Sequence, residues 1–341
     1  MRGKFRIVVQ NKRIRYDFEI KRNITVIRGD SATGKTTLVD MIREHYENGD
    51  ASGVELQCSK ECTVLEGRTW PGQLSMMQDS IVFIDEGNDF VMSDAFAAAI
   101  QNTDNYYVIV TREGIPSLPY SADEIYGIRD SGKYGTLKKT YSEFYHLYQL
   151  KDYTKPIQPK VVITEDANSG FQFFKGVCDK TEGHICISAQ GKSNIFATVV
   201  KHMDENVLII ADGAAFGAEM GKLNQLLEWN QNINLYLPES FEWLILSSGL
   251  IEDSGLLGKL EHSEDYIESK EYFSWERYFT AQLIQLTQDS FLKYAKKQLK
   301  KYKKALDQIK KANDKDDAHL QHRIMDKILS VMKEIEFYHS I

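Results

Sequence analysis

The sequence predicts an α/β chain built on two separate parallel sheets, and three observations carry that expectation. A β-branched run, Asn23 to Arg28, passes through a glycine loop into a segment with Leu38, Met41, Ile42 and His45 at helical spacing. A second run, Ser80 to Ile84, is apolar throughout its middle and ends in Asp85 and Glu86, as suits a strand buried on both faces. From Val161 to Leu237 short apolar runs alternate with helix-like stretches, the pattern of a parallel sheet.

The glycine loop reads Gly29-Asp30-Ser31-Ala32-Thr33-Gly34-Lys35-Thr36-Thr37. Glycines let the backbone wrap closely, so that successive N–H groups and the N-terminus of the following helix hold phosphate oxygens. In that arrangement Lys35 reaches the β- and γ-phosphates of ATP and Thr36 ligates Mg²⁺. Asp85, at the end of its strand, is the candidate to hold the same Mg²⁺ through water, and Glu86 to polarise an attacking water. A further strand, Tyr106 to Val110, ends in Thr111 and Arg112; either could sense a γ-phosphate, or both simply cap the strand. Two β-rich runs, Phe5 to Val9 and Ile14 to Ile20, precede the loop. These segments resemble the Walker A and Walker B motifs of P-loop ATPases, and with the N-terminal hairpin they look like a compact ABC- or SMC-like head. The span between Thr37 and Asp85 leaves no room for the usual helical subdomain of such heads, and it carries no LSGGQ-type signature.

A polar stretch with Pro156 and Pro159 marks a domain boundary. Beyond it, Val161 to Thr164 reads as a strand closed by Glu165 and Asp166, and a helix follows to Cys178. His184 to Ser188 is a second strand, after which Gly191-Lys192-Ser193-Asn194 opens a helix. Val207 to Ala211 is a third strand, closed by Asp212; a helix with Met220, Leu223 and Leu227 on one face leads to a fourth strand, Ile233 to Leu237. Carboxylates at the strand ends are where phosphodiester chemistry needs Mg²⁺ or Mn²⁺. The segment resembles a TOPRIM domain, and with the ATPase half it is similar to the overcoming-lysogenisation-defect (OLD) nucleases. The resemblance implies a catalytic metal site at Glu165 and Asp212. Ala214 stands where the family has a second Asp, so Asp166, Glu219, Glu239 or Glu242 compensates, or the domain keeps its fold without cutting.

The tail predicts an antiparallel helical hairpin: Leu292, Ala295, Leu299, Tyr302, Leu306 and Ile309 form one apolar stripe, and Ile324, Ile328, Val331, Ile335 and Tyr338 another. The first helix carries a dense lysine face, including Lys293, Lys296, Lys297, Lys300 and Lys301, which reads either as a grip on nucleic-acid phosphates or as a solvated surface. The organisation expected is a P-loop domain over residues 1–150, a TOPRIM-like domain over 160–250 and a helical tail over 263–341.

Composition bounds the partners. Of 341 residues, 42 are Lys or Arg and 49 Asp or Glu, a net charge of −7 with 42% hydrophobic residues; a disordered chain and an overall basic one are excluded. The charged opening, Met1 to Arg6, leads into no long apolar stretch and no apolar run approaches a membrane span, so a cytoplasmic protein without membrane partners is expected. Cys58 and Cys62 are close enough for a metal reading, but Cys178 and Cys186 supply no second compact pair and no histidine stands at ligand spacing. The function expected is ATP hydrolysis controlling a metal-dependent nuclease, plausible in phage defence or mobile-element biology on the resemblance alone. Alternatively the ATPase is a sensor that binds a partner protein through an inert second domain. A kinase is the weaker third reading, because Glu86 beside Asp85 suits water activation. Arg112 is the sole candidate for an internal arginine finger, so a second copy of the chain or a partner protein is expected to complete the site.

Overall fold

A computed structural model describes residues 1–29, 33–131, 139–148, 156–180, 183–289, 294 and 316–337. It is α/β, with a large mixed sheet and a second, parallel sheet, in two compact units. The first unit comprises 1–149, 215–221 and 262–274, and the second 150–214, 222–261 and 275–341.

In the first unit the strands are β1 (Phe5–Gln10), β2 (Ile14–Ile20), β3 (Ile24–Ile27), β4 (Glu55–Gln57), β5 (Glu61–Val64), β6 (Ser80–Ile84), β7 (Tyr106–Val110), β8 (Ile125–Asp130) and β9 (Thr140–His146), with helices α1 (Lys35–Asn48), α2 (Trp70–Leu74) and α3 (Asp94–Ile100). The hairpin β1–β2 is antiparallel, whereas β3, β7, β6 and β5 run parallel. The three runs that the sequence marks most strongly are fully buried: every residue of β3, β6 and β7 lies in the interior.

The sheet order is β4-β1-β2-β9-β8-β3-β7-β6-β5. Its two edge strands, β4 and β5, are joined by Cys58, Ser59 and Lys60 alone. Nine strands laid flat at ~4.8 Å spacing would hold those edges about 38 Å apart. The link from Gln57 to Glu61 spans at most about 14 Å. The sheet must therefore curl until its edges lie within that span, and α1 fills the concave side, packing on β1, β4, β5 and β6. Leu38, Val39, Met41 and Ile42 of α1 are buried there among Ile7, Val9, Ile81 and Phe83. The later segment 262–274 is tied to the chain start: the Met1 ammonium pairs with Glu268, the Gly3 N–H donates to the Glu264 carbonyl at 2.8 Å, and Asn23 Nδ2 donates to the Phe273 carbonyl at 2.7 Å.

The second unit has four parallel strands, β10 (Val161–Thr164), β11 (Ile185–Ser188), β12 (Val207–Ile210) and β13 (Ile233–Tyr236), in the order β11-β10-β12-β13. Helices α4 (Ser169–Cys178), α5 (Ile195–Val199), α6 (Met220–Trp229), α7 (Phe241–Ser247), α8 (Leu256–Glu261), α9 (Trp275–Thr287) and α10 (Asp316–Leu329) complete the described elements. The strand–helix alternation expected from the sequence is present over the whole stretch, with boundaries shifted by a residue or two.

The tail departs from expectation. The stripe of Ile324, Ile328, Val331 and Ile335 predicts one continuous helix, but α10 stops at Leu329. Ile335 instead forms a parallel bridge with Ile157, where the Ile157 N–H donates to the Glu334 carbonyl at 2.7 Å and the Glu336 N–H to the Ile157 carbonyl at 2.8 Å. Beyond α10 the chain turns, with the Met332 N–H donating to the Leu329 carbonyl at 2.9 Å and the Ile335 N–H to the Met332 carbonyl at 3.0 Å, and Met332, Ile335 and Phe337 enter the same core as Val162, Leu208 and Leu244, so tertiary burial overrides the helical spacing. The first helix of the expected hairpin, with its lysine face, lies outside the described residues except at Tyr294, and Tyr338 lies outside them too. Among the described residues no helix is long and apolar enough to cross a membrane.

Candidate functional site

Because β3, β7 and β6 are neighbours and parallel, their C-terminal ends open on one edge of the sheet. That edge receives Gly29 after β3, Thr111 and Arg112 after β7, and Asp85 and Glu86 after β6. Loop residues Asp30, Ser31 and Ala32 lie outside the described residues. On either side of them the geometry is defined. Gly34 takes φ 90°, ψ 9°, a left-handed turn into α1, which glycine adopts without the Cβ penalty. The Tyr16 hydroxyl donates to the Gly34 carbonyl at 2.8 Å, and that same carbonyl accepts the Leu38 N–H at 3.0 Å. The Lys35 ammonium, almost fully buried, donates to the Gly29 carbonyl at 2.9 Å and to Thr33 Oγ1 at 3.1 Å, so it bridges both ends of the loop.

Thr36 and Thr37 are exposed in the first turn of α1. The Thr36 hydroxyl and the Glu86 backbone N–H stand beside the Asp85 carboxylate and favour its charged form. Burial nevertheless pushes the Asp85 carboxyl above its ordinary range, helped by the nearby charge of Asp40. Asp85 Oδ1 is buried and has no hydrogen-bond partner. Glu86 forms an ion pair with Arg112. Arg112 is in turn held by its carbonyl, which accepts from Arg28 Nη2 at 2.8 Å, while Arg28 Nη1 donates to the Tyr148 hydroxyl at 3.0 Å. The Thr111 hydroxyl donates to the Glu113 carbonyl at 3.0 Å and accepts the Glu113 N–H at 3.2 Å. Thr111 thus caps its own turn, and of the two candidates after β7 Arg112 is the one that reaches Glu86. Sequence reasoning did not single out Tyr16, Arg28 or Asp40; the first is marked only by standing in a strand register opposite Val9.

In the second unit a cavity of about 150 Å³ is lined by Glu165, Asp166, Asp212, Ser169, Glu242 and Glu276 among others. Glu165 and Asp212 stand side by side: Glu165 Oε2 accepts the Asp212 N–H at 3.1 Å, and Asp212 Oδ1 accepts the Phe241 N–H at 3.2 Å. Desolvation raises the Glu165 carboxyl from 4.5 to about 7, against the favourable contribution of the Asp212 N–H and the Lys192 charge. Of the compensating acids considered for Ala214, Asp166 and Glu242 line the cavity, while Glu219 and Glu239 do not. Asp166 is engaged at the start of α4, accepting the Asn168 N–H at 3.1 Å and the Phe171 N–H at 2.9 Å. Glu242, buried on α7, accepts from the Tyr294 hydroxyl at 2.7 Å, and the same hydroxyl oxygen lies 3.1 Å from Ser169 Oγ, from which it can accept. Glu276 and Tyr294 were not marked by the sequence, since neither stands at a strand end.

The cysteines also differ from expectation. Cys178 on α4 and Cys186 on β11, eight residues apart, stand close enough for each thiol to influence the other, as do Cys58 and Cys62. Among the described residues no group of three or more His, Cys, Asp or Glu side chains forms a metal cluster. No protein-family model, no curated protein and no solved structure matches the chain.

Proposed function

We propose that the first unit binds ATP with Mg²⁺ and hydrolyses it, as the resemblance to P-loop ATPases implies. The observation that carries this reading is the Thr36–Asp85 contact with its orphaned acceptor. A carboxylate raised by burial, touching a hydroxyl at the start of a helix and keeping one buried oxygen without a partner, is a donor set suited to a hard divalent cation. The residues therefore fit Mg²⁺, with Thr36 and Asp85 holding it. Lys35, Gly29, Gly34 and Thr33 fit a phosphate chain between them, and Asp30, Ser31, Ala32 and Thr37 belong to the same proposed loop. The metal, when bound, neutralises phosphate charge. Lys35 supplies a fixed ammonium, Arg112 an exposed guanidinium and Glu86 the carboxylate that orients water.

For the second unit we propose a TOPRIM-like domain acting on nucleic acid, with Glu165 and Asp212 as its metal-binding and catalytic carboxylates. A second reading, a domain of the same layout that binds a partner protein without cutting, is favoured by Ala214 and by the backbone amides that already occupy Glu165 and Asp212. The described side chains do not converge as a three-ligand set, so no catalytic step is assigned there.

Calorimetry with ATP and Mg²⁺ tests the first reading: wild type releases heat and Lys35→Ala does not, while circular dichroism of the two is the same. Equal binding by both overturns it. Metal-dependent cleavage of DNA or RNA, compared with Glu165→Ala and Asp212→Ala, separates the two readings of the second unit. Cleavage lost in both supports the nuclease; none in wild type across Mg²⁺ and Mn²⁺ with ATPase intact selects the partner-binding domain.

A further inference from the structure

The short link between the first unit's two edge strands carries one of the four cysteines, and a second stands just beyond it. Cys58 follows β4 and Cys62 lies within β5, so the strands that pin them are the two edges of the curled sheet. Both sulfurs gather on one peptide residue: the Lys60 N–H donates to Cys58 Sγ at 3.5 Å, and the Cys62 thiol donates to the Lys60 carbonyl at 3.8 Å. Their environments are unequal. Cys58 is half-buried and reachable from solvent, whereas Cys62 is 3% exposed and packed in the core beside α1.

We propose that Cys58 and Cys62 form a reversible dithiol–disulfide site at the seam of the sheet, with Cys58 reacting first with a peroxide and Cys62 resolving the product. The thiolate is the nucleophile in such chemistry. Cys58 is the sulfur favoured to ionise, because the neighbouring Cys62 thiol and the Lys60 and Ser59 backbone N–H groups stabilise its thiolate, and Cys62 is held protonated by that neighbour and by burial. In the first step the Cys58 thiolate attacks one oxygen of hydrogen peroxide; the O–O bond breaks, leaving Cys58 as a sulfenic acid and releasing hydroxide, which takes up the proton lost when the thiol ionised. In the second the Cys62 sulfur attacks the sulfenic sulfur, the S–O bond breaks, and the oxygen leaves as water with the Cys62 proton. Two thiols and one peroxide give one disulfide and two waters.

The position of Lys60 between the two cysteines gives a direct assay. Trypsin cuts after Lys60, so the reduced protein yields separate peptides 44–60 and 61–68. The full-length protein is treated with hydrogen peroxide, remaining thiols are alkylated, and the digest is read by mass spectrometry. The expected result is the two peptides joined, two hydrogens lighter than their sum, and separated completely by dithiothreitol. In Cys62→Ser, dimedone is expected to trap a sulfenic acid on Cys58 at roughly tenfold the yield on Cys62 in Cys58→Ser. Joined peptides absent from the wild-type digest, a link from Cys58 to any other cysteine, or dimedone on Cys62 in preference to Cys58 overturns the proposal. The wild-type peptide map decides the matter even if a serine variant fails to fold, and it is independent of any nucleotide activity.

Discussion

Replacing Gly34 with alanine should loosen the start of α1 by an amount the geometry fixes. The residue sits at φ 90°, and a side chain held in the left-handed region costs about 1–2 kcal/mol. The added Cβ would also lie 2.7 Å from the Tyr16 hydroxyl oxygen. Tyr16 is fully buried, so it has no outward route, and its hydrogen bond to the Gly34 carbonyl must stretch or break, at about 1 kcal/mol. The combined cost is about 2–3 kcal/mol, which in amide hydrogen exchange is a roughly 30- to 150-fold loss of protection in the first turns of α1. Tyr16→Phe removes the obstructing oxygen while Gly34 O keeps its bond from the Leu38 N–H. In that background the same substitution should cost about 1 kcal/mol less. Exchange measured by mass spectrometry on the four proteins of this cycle gives the comparison. A Gly34→Ala variant whose protection changes less than about threefold, or whose cost is the same with and without the Tyr16 hydroxyl, would refute the reasoning.

Two further outcomes are expected. Arg112→Ala should weaken ATP binding and leave ADP binding unchanged in calorimetry, because its guanidinium is proposed to exchange Glu86 for the γ-phosphate; equal weakening of both nucleotides counts against that role. For Glu165 the sign follows from a carboxyl raised above its unfolded value: in metal-free protein its contribution is fully present below pH 4.5 and is lost as the pH rises through about 7. The shift corresponds to about 3 kcal/mol at most. Thermal melts between pH 5 and 8 should therefore decline more steeply for wild type than for Glu165→Gln, and parallel slopes would show that Glu165 is not the responsible group.

What could be read from the sequence follows from which forces leave a local trace. Strands β3, β6 and β7 are buried on both faces and announce themselves as apolar runs, and carboxylates at strand ends follow from parallel pairing, so the positions of Asp85, Glu86, Glu165 and Asp212 at strand ends were legible. Curling of the sheet left no such trace. Strands β4 and β5 span three and four residues, too few for a periodic signal, and their partners β1 and β6 are set by the closure itself. Arg28, Glu276 and Tyr294 act through contacts with residues far along the chain, and pattern reading is blind to these. The helical stripe beyond Leu329 failed for the complementary reason: its apolar spacing was real, but Ile335 found a better partner in Ile157 than a helix face offered.

The two adjacent carboxylates at the end of β6 show how neighbouring residues of the same chemistry acquire different work. Strand alternation sends consecutive side chains in opposite directions. Asp85 turns toward α1, where burial raises its carboxyl and leaves Oδ1 without a donor; an arriving cation would repay that desolvation. Glu86 turns toward the end of β7 and meets Arg112, a pair exposed enough that solvent screens it and its worth is small. A weak pair is what an exchange requires, since a phosphate competes for the guanidinium only if Glu86 does not hold it tightly. Arg28, gripping the Arg112 carbonyl, keeps the backbone in place while the side chain changes partner. Within the proposed ATPase, Asp85 is thus a standing demand for a cation and Glu86 a base withheld until the nucleotide draws Arg112 away.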